Sequence, residues 1–330
     1  MTSTLIPPTG VFVPSPTFFR PLADSPSAHV AAVDVAAQAA HSVFLARAGI
    51  RGIVLLGSTG EAIHLSAAER FDLVAGVRRG LDEAGFPDYP LMAGVLTSGG
   101  IEETLAWLVD YAKAGAQWGL VLAPGYFGAA ASQENLKEWY RVIADASPIP
   151  ILVYNYPGVT NGVVVLPESY TELAAHEKIV GCKMSHGNVS HHVQVSLDPA
   201  IDHDKFRVYS GFGQQLGPIV AFGAAGVIDG MAAFFPKTVV RLMDLLEKDE
   251  QNAETKAEIR RLQYVVSRAE EFVVRYGILG IREAVYRVTG LGNLEGGRLP
   301  LRGKLAESEW EKGRGLFLAG IEETEAEANL

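Results

Sequence analysis

The chain has 330 residues, 48% apolar and 20% charged, enough to bury a large core as one barrel with an extension or as two ordinary domains. Its net charge of -10, with no run of Lys or Arg, argues against nucleic acid or an anionic membrane as partner, though not against a small anionic substrate. The single cysteine, Cys182, excludes an intramolecular disulfide and a cysteine-based zinc site, and a reducing compartment is the expectation.

From the N-terminus, Met1 to Pro8 carries no basic stretch leading into an apolar one, and the first Arg is Arg20. No apolar run is long enough to span a bilayer, so a soluble cytoplasmic protein is expected. Short apolar runs then alternate with amphipathic segments. Strands are expected at Gly10–Val13, Gly52–Leu56, Leu91–Val95, Gly119–Ala123, Ile151–Tyr154, Ile179–Lys183, Arg207–Ser210 and Gly226–Ile228. Most are continuously apolar, as strands covered on both faces should be. Between them, Ser66-Ala67-Ala68-Glu69 reads as a capping box ahead of Phe71, Val74 and Val77. Ile101, Leu105, Leu108 and Ala112 draw one apolar helical stripe. Eight unbroken strand–helix alternations predict a (β/α)8 barrel over residues 1–246. From 247 to 330 only helices are expected, roughly Ala253–Tyr276, Leu279–Val288 and Glu307–Glu325, as an appendage whose Glu322–Glu327 charges face solvent.

Reactive groups of such barrels sit at the carboxyl ends of strands. Three ends here are unusual: Gly57-Ser58-Thr59-Gly60-Glu61, Tyr154-Asn155-Tyr156-Pro157-Gly158, and Gly181-Cys182-Lys183-Met184-Ser185-His186-Gly187-Asn188. Lys183 is the only lysine that closes an apolar strand run. Burial depresses a lysine pKa, and a neutral amine can attack a ketone to form an imine, an electron sink for breaking a neighbouring C–C bond. The bland alternative is a lysine that reaches the barrel rim or pairs with Glu61. In the first loop, Ser58, Thr59 and backbone N–H groups can meet a carboxylate. Tyr154 can shuttle a proton. Alone, each of the last two is more often a turn or a packing residue; together on one mouth they predict a site.

Two other features carry little. Gly211-Phe212-Gly213-Gln214-Gln215-Leu216-Gly217 has the wrong last spacing for a dinucleotide loop, and Pro218 interrupts the helix that would receive the pyrophosphate. His186, His191 and His192 lack a carboxylate at ligand spacing, so no metal is expected.

At these residues the chain resembles the dihydrodipicolinate synthase and N-acetylneuraminate lyase superfamily of class I aldolases, from about Gly10 to Arg298-Leu299-Pro300-Leu301. The Gly-(Ser/Thr)-Thr-Gly-Glu loop, the Tyr-Asn-x-Pro strand end and the Gly-x-Lys strand end carry the resemblance in that order. It implies Lys183 as Schiff-base lysine and Tyr154 as proton-transfer tyrosine, with Ser58 and Thr59 on the substrate carboxylate. It further implies Ser185 and Gly211 as substrate contacts, Tyr126 as a residue lent across a tight dimer, a homotetramer built as a dimer of dimers, and no cofactor. Val159 stands where dihydrodipicolinate synthases carry an Arg for their second substrate, so that activity is not expected.

More narrowly, Gly57–Leu65, Ala123–Phe127 and Lys183–His192 resemble fungal L-threo-3-deoxy-hexulosonate aldolases, which act on 2-keto-3-deoxy-L-galactonate. For a hydroxylated substrate tail, His186 and Asp229 are expected as readers, Asp229 because it follows the last strand. The alternatives are a 4-hydroxy-2-oxoglutarate or 2-keto-3-deoxygluconate aldolase, a non-catalytic 2-oxo-acid-binding barrel, and a pyridoxal-phosphate enzyme using Lys183.

Overall fold

Eight short strands pair in parallel in sequence order, and the eighth closes on the first, in the computed structural model, which describes residues 4–328. The strands are β1 (Gly10–Pro14), β2 (Gly52–Leu55), β3 (Leu91–Val95), β4 (Trp118–Leu122), β5 (Ile151–Asn155), β6 (Ile179–Met184), β7 (Arg207–Ser210) and β8 (Gly226–Ile228). Nearly every strand residue is buried, because barrel side chains cover one face and helices the other. The chain is therefore a (β/α)8 barrel, as the eight apolar runs imply.

The outer helices are α1 (Val35–Arg47), α2 (Ala67–Glu83), α3 (Ile101–Ala114), α4 (Gln133–Ala146), α5 (Pro167–Ala174), α6 (Val189–Leu197), α7 (Leu216–Val220) and α8 (Pro236–Leu246). Ser66 and Glu69 form the expected capping box at the start of α2. The stripe on α3 is corrected. Leu108 is buried and Leu105 packs on the core as expected, but Ile101 is exposed and the buried face runs through Thr104, Trp107, Leu108, Tyr111 and Ala114. Thr104 can be buried because its hydroxyl donates to the Gly100 carbonyl at 2.7 Å and pairs with the Thr97 hydroxyl at 2.6 Å.

Past the barrel lie α9 (Ala253–Thr289), α10 (Glu307–Gly313), a π-helical turn at Arg314–Leu318, and α11 (Ala319–Glu327). Gly277, with φ +55°, breaks α9 where two separate helices are expected, a conformation that glycine reaches without steric cost. The Glu322–Glu327 run is not all solvated. Glu322 pairs with Arg314, and the Glu325 carboxylate accepts from the backbone N–H groups of Lys237 and Thr238, capping α8. A division into a 1–246 barrel and a 247–330 appendage is our proposal; residues 1–3 and 329–330 within it lie outside those described. Among the described residues, no helix is long and apolar enough to cross a membrane.

Candidate active site

Register places Tyr154 of β5 opposite Lys183 of β6. The Lys183 Nζ lies 4.7 Å from the centre of the Tyr154 ring, and the lysine is only 5% exposed. Burial pushes the Lys183 amine down to about 7, against the negative charge of Asp229, which holds it up. At neutral pH a large fraction is therefore free base. If the amine is the nucleophile, kcat/KM should rise through about pH 7 and fall about tenfold per pH unit on the acid side. Asp229→Asn should move that acid limb to lower pH, since it removes the charge that opposes deprotonation. A pH–rate series on both proteins checks this, and an acid limb that stays put in the variant contradicts it.

The Tyr154 hydroxyl lies 3.3 Å from the Ser58 hydroxyl. Burial pushes this phenol up to about 12, with hydrogen bonds to Ser58 and Ser185 working the other way, so it stays protonated at neutral pH. Lys183, Tyr154, Ser58, Thr59, Ser185 and Gly211 all line one cavity of about 390 Å³. Gly211 is needed for close approach: a Cβ there would come within 2.0 Å of the Ser185 Oγ and 3.1 Å of the Lys183 Cε. Six of the nine expected site residues thus share one cavity.

The Ser58-Thr59 loop does not open an α-helix. It leads into a single 3-10 turn at Ala62–His64, and α2 begins only at Ala67. Its ends are strained: Leu56 and Glu61 both have left-handed φ, +59° and +51°. Three contacts hold it. The Thr17 hydroxyl donates to the Gly60 carbonyl at 2.5 Å, and the Glu61 carboxylate meets Arg282 of α9 at 2.9 Å and His64 at 3.1 Å. The Glu61–Arg282 pair is almost wholly buried. Arg282→Met should cost about 3–5 kcal/mol, because it strands a buried carboxylate. Denaturant unfolding would show it, and replacing both residues by Met should recover part of the loss. A single variant as stable as the parent would contradict this.

Three expected residues stand elsewhere. Tyr126 is 74% exposed and lines an adjoining cavity of about 520 Å³, which shares Ser58, Val159 and Ile278 with the first. His186 does not line the cavity. Its ring packs on His191 and His192 at 5.5 and 5.0 Å, and burial together with those two rings pushes it down to about 4. Strand β6 ends at Met184, so His186 lies in the turn beyond and its direction is not set by the strand. Asp229 is fully buried beneath the cavity, accepting from the N–H groups of Met231 and Ala232. It acts on Lys183 through charge rather than lining the cavity.

The sequence reading missed the contribution of α9, which supplies Glu270, Val273, Ile278 and Ile281 to the cavity. One signal was available: Leu262, Val266 and Glu270 are spaced by four, which sets an acidic residue on the buried stripe.

The model of the dihydrodipicolinate synthetase family matches residues 23–312. A Hypocrea jecorina protein named L-threo-3-deoxy-hexylosonate aldolase is 31% identical over 300 residues, 89% of this chain and 90% of that one. An Emericella nidulans protein named "Probable 4-hydroxy-2-oxoglutarate aldolase, mitochondrial" is 32% identical over 86% of each chain. The crystal structure of a dihydrodipicolinate synthase family protein from Coccidioides immitis superposes with a TM-score of 0.80 at 26% identity, covering 98% of both chains.

Proposed function

The chain belongs to the dihydrodipicolinate synthetase family and is a carbon–carbon lyase, and from that premise we propose that it cleaves a 2-keto-3-deoxy sugar acid to pyruvate and an aldehyde through a Schiff base on Lys183. The substrate we assign is 2-keto-3-deoxy-L-galactonate, giving pyruvate and L-glyceraldehyde in D-galacturonate breakdown, with no cofactor. One observation carries the reading: the desolvated amine of Lys183 stands beside the protonated phenol of Tyr154 in one cavity.

Ser58 and Thr59 hold the substrate carboxylate while the neutral Lys183 amine attacks the C2 ketone. Tyr154 gives its proton to the departing hydroxyl as the carbinolamine loses water. The resulting phenolate takes the C4 hydroxyl proton as the C3–C4 bond breaks, and the electron pair passes into the imine to form an enamine. The enamine is protonated to the pyruvate imine, which water hydrolyses, returning the free amine. A panel of 2-keto-3-deoxy acids, with chiral identification of the aldehyde released, tests the substrate. L-Glyceraldehyde is expected; no cleavage of any six-carbon acid would overturn the assignment.

Val159 lines the cavity and offers no charge, and a hydrophobic side chain cannot replace a bidentate carboxylate clamp. Condensation of pyruvate with aspartate semialdehyde should therefore run at least about a hundredfold below the best sugar acid, the worth of a charge-assisted clamp and more. Comparable rates in a coupled assay would sink this. The Emericella relative's name favours 4-hydroxy-2-oxoglutarate as a second reading, and the same panel decides it. A dimer of dimers goes with the exposed Tyr126, which lines the adjoining cavity, and its exposed neighbour Phe127, and sedimentation by analytical ultracentrifugation would read its mass. A cytoplasmic setting suits a chain with one free cysteine, but stands against the mitochondrial label on the Emericella relative, so fractionation of the source cells decides it.

A further inference from the structure

The reacting end of the cavity uses Lys183, Tyr154, Ser58 and Thr59, which leaves the α9 wall to face the other half of the substrate. That wall is apolar at Val273, Val274, Ile278 and Ile281, and its one charged or polar side chain is Glu270. Glu270 is 2% exposed yet borders the cavity, with its Oε1 sealed beside Gly213 and Asp229. A carboxyl group in an otherwise apolar cavity wall is costly to desolvate unless a polar group of the ligand meets it.

Burial and a neighbouring carboxyl group set its protonation. A Cβ at Gly213 would lie 2.9 Å from the Glu270 Oε1 and 3.1 Å from the Asp229 Oδ2, so the two carboxyl groups meet over one glycine. Asp229 in turn accepts from the backbone N–H groups of Met231 and Ala232. Burial, the adjacent Asp229 charge and a hydrogen bond to Asp229 push Glu270 well above the ordinary carboxyl range, so it stays protonated and uncharged. Among the described residues lining the cavity, Lys183 is the only basic side chain, and in the imine its nitrogen is bonded to C2 of the substrate, away from the α9 wall.

We propose that Glu270 is the specificity-determining residue for the aldehyde half of the substrate: it hydrogen-bonds an uncharged hydroxyl there and, with no cation on the same wall, disfavours substrates whose aldehyde half ends in a carboxylate. This rests on the retro-aldol reading of the site. The reader of the tail is then the carboxyl lying over Asp229, contributed by a helix beyond the barrel, rather than Asp229 itself.

The test uses the full-length wild type, Glu270→Gln and Glu270→Ala, each assayed by borohydride trapping of pyruvate and by kcat/KM. The wild type should prefer a 2-keto-3-deoxy-hexonate to 4-hydroxy-2-oxoglutarate by more than about tenfold, and to 4-hydroxy-2-oxohexanoate, which lacks the tail hydroxyls, by about tenfold. Glu270→Ala should lose about tenfold on the hexonate, mostly in KM, while Glu270→Gln, which keeps a neutral donor, should stay within about threefold. Both variants should trap pyruvate at the wild-type rate. The wild-type comparison needs no variant to fold. Equal or better cleavage of either comparison acid by the wild type overturns the proposal, as does an unchanged hexonate kcat/KM in Glu270→Ala. Trapping lost in step with cleavage would also overturn it, assigning Glu270 to the support of Lys183. Absence of trapping in the wild type would instead defeat the aldolase reading, and this inference with it.

Discussion

Lys183→Ala should reduce turnover on the best 2-keto-3-deoxy acid by on the order of 10⁴-fold or more, to the background rate. The size follows from what is removed: without the amine no imine forms, and the C3–C4 bond has no electron sink. The fold should survive. An amine held near 7 when folded and near its ordinary value of about 10.4 when unfolded binds fewer protons in the native state between those limits. Its burial therefore costs stability, fully below about pH 7 and not at all above about pH 10.4. Lys183→Met should accordingly be more stable than the wild type at neutral pH, with the gap closing as pH rises towards 10. Denaturant midpoints at several pH values read this directly. A variant that is both active and less stable at pH 7 would mean that Lys183 is a structural cation.

Tyr154→Phe should lower kcat by about 10²–10⁴-fold, the usual worth of a positioned proton-transfer group, with KM changed far less. The ring remains, so the packing under Lys183 is kept; what goes is the hydroxyl that meets Ser58 at 3.3 Å. Both carbinolamine dehydration and C4 deprotonation should slow, so pyruvate trapping by borohydride should slow as well as cleavage. A kcat within about tenfold of wild type would leave Tyr154 as a packing residue, its commoner role at a strand end.

The barrel was legible because a strand buried on both faces leaves a continuous apolar run, and eight such runs separated by helical segments admit few architectures. Lys183 stood out for the same reason: a charged residue that closes an apolar run needs an explanation. Contributions that cross the chain were not legible. Glu270 reads as half of a Glu270-Glu271 pair on a long charged helix, and only the packing of α9 over the mouth turns it inward. The buried face of α3 was misread because hydrophobicity alone could not foresee that Thr97 and Gly100 would satisfy the Thr104 hydroxyl. His186 was misplaced by extending strand geometry past Met184 into a turn, where the alternation of side chains no longer holds. Asp229 was correctly put at a strand end, but the two backbone N–H groups that follow it claim its carboxylate.

The central claim is covalent, and one measurement meets it directly. Wild-type protein incubated with pyruvate and sodium borohydride, digested and mapped by mass spectrometry, should carry the mass of a reduced pyruvate adduct on the peptide holding Lys183, with no adduct in Lys183→Ala. An adduct on any other lysine, or none on the wild type, would contradict it.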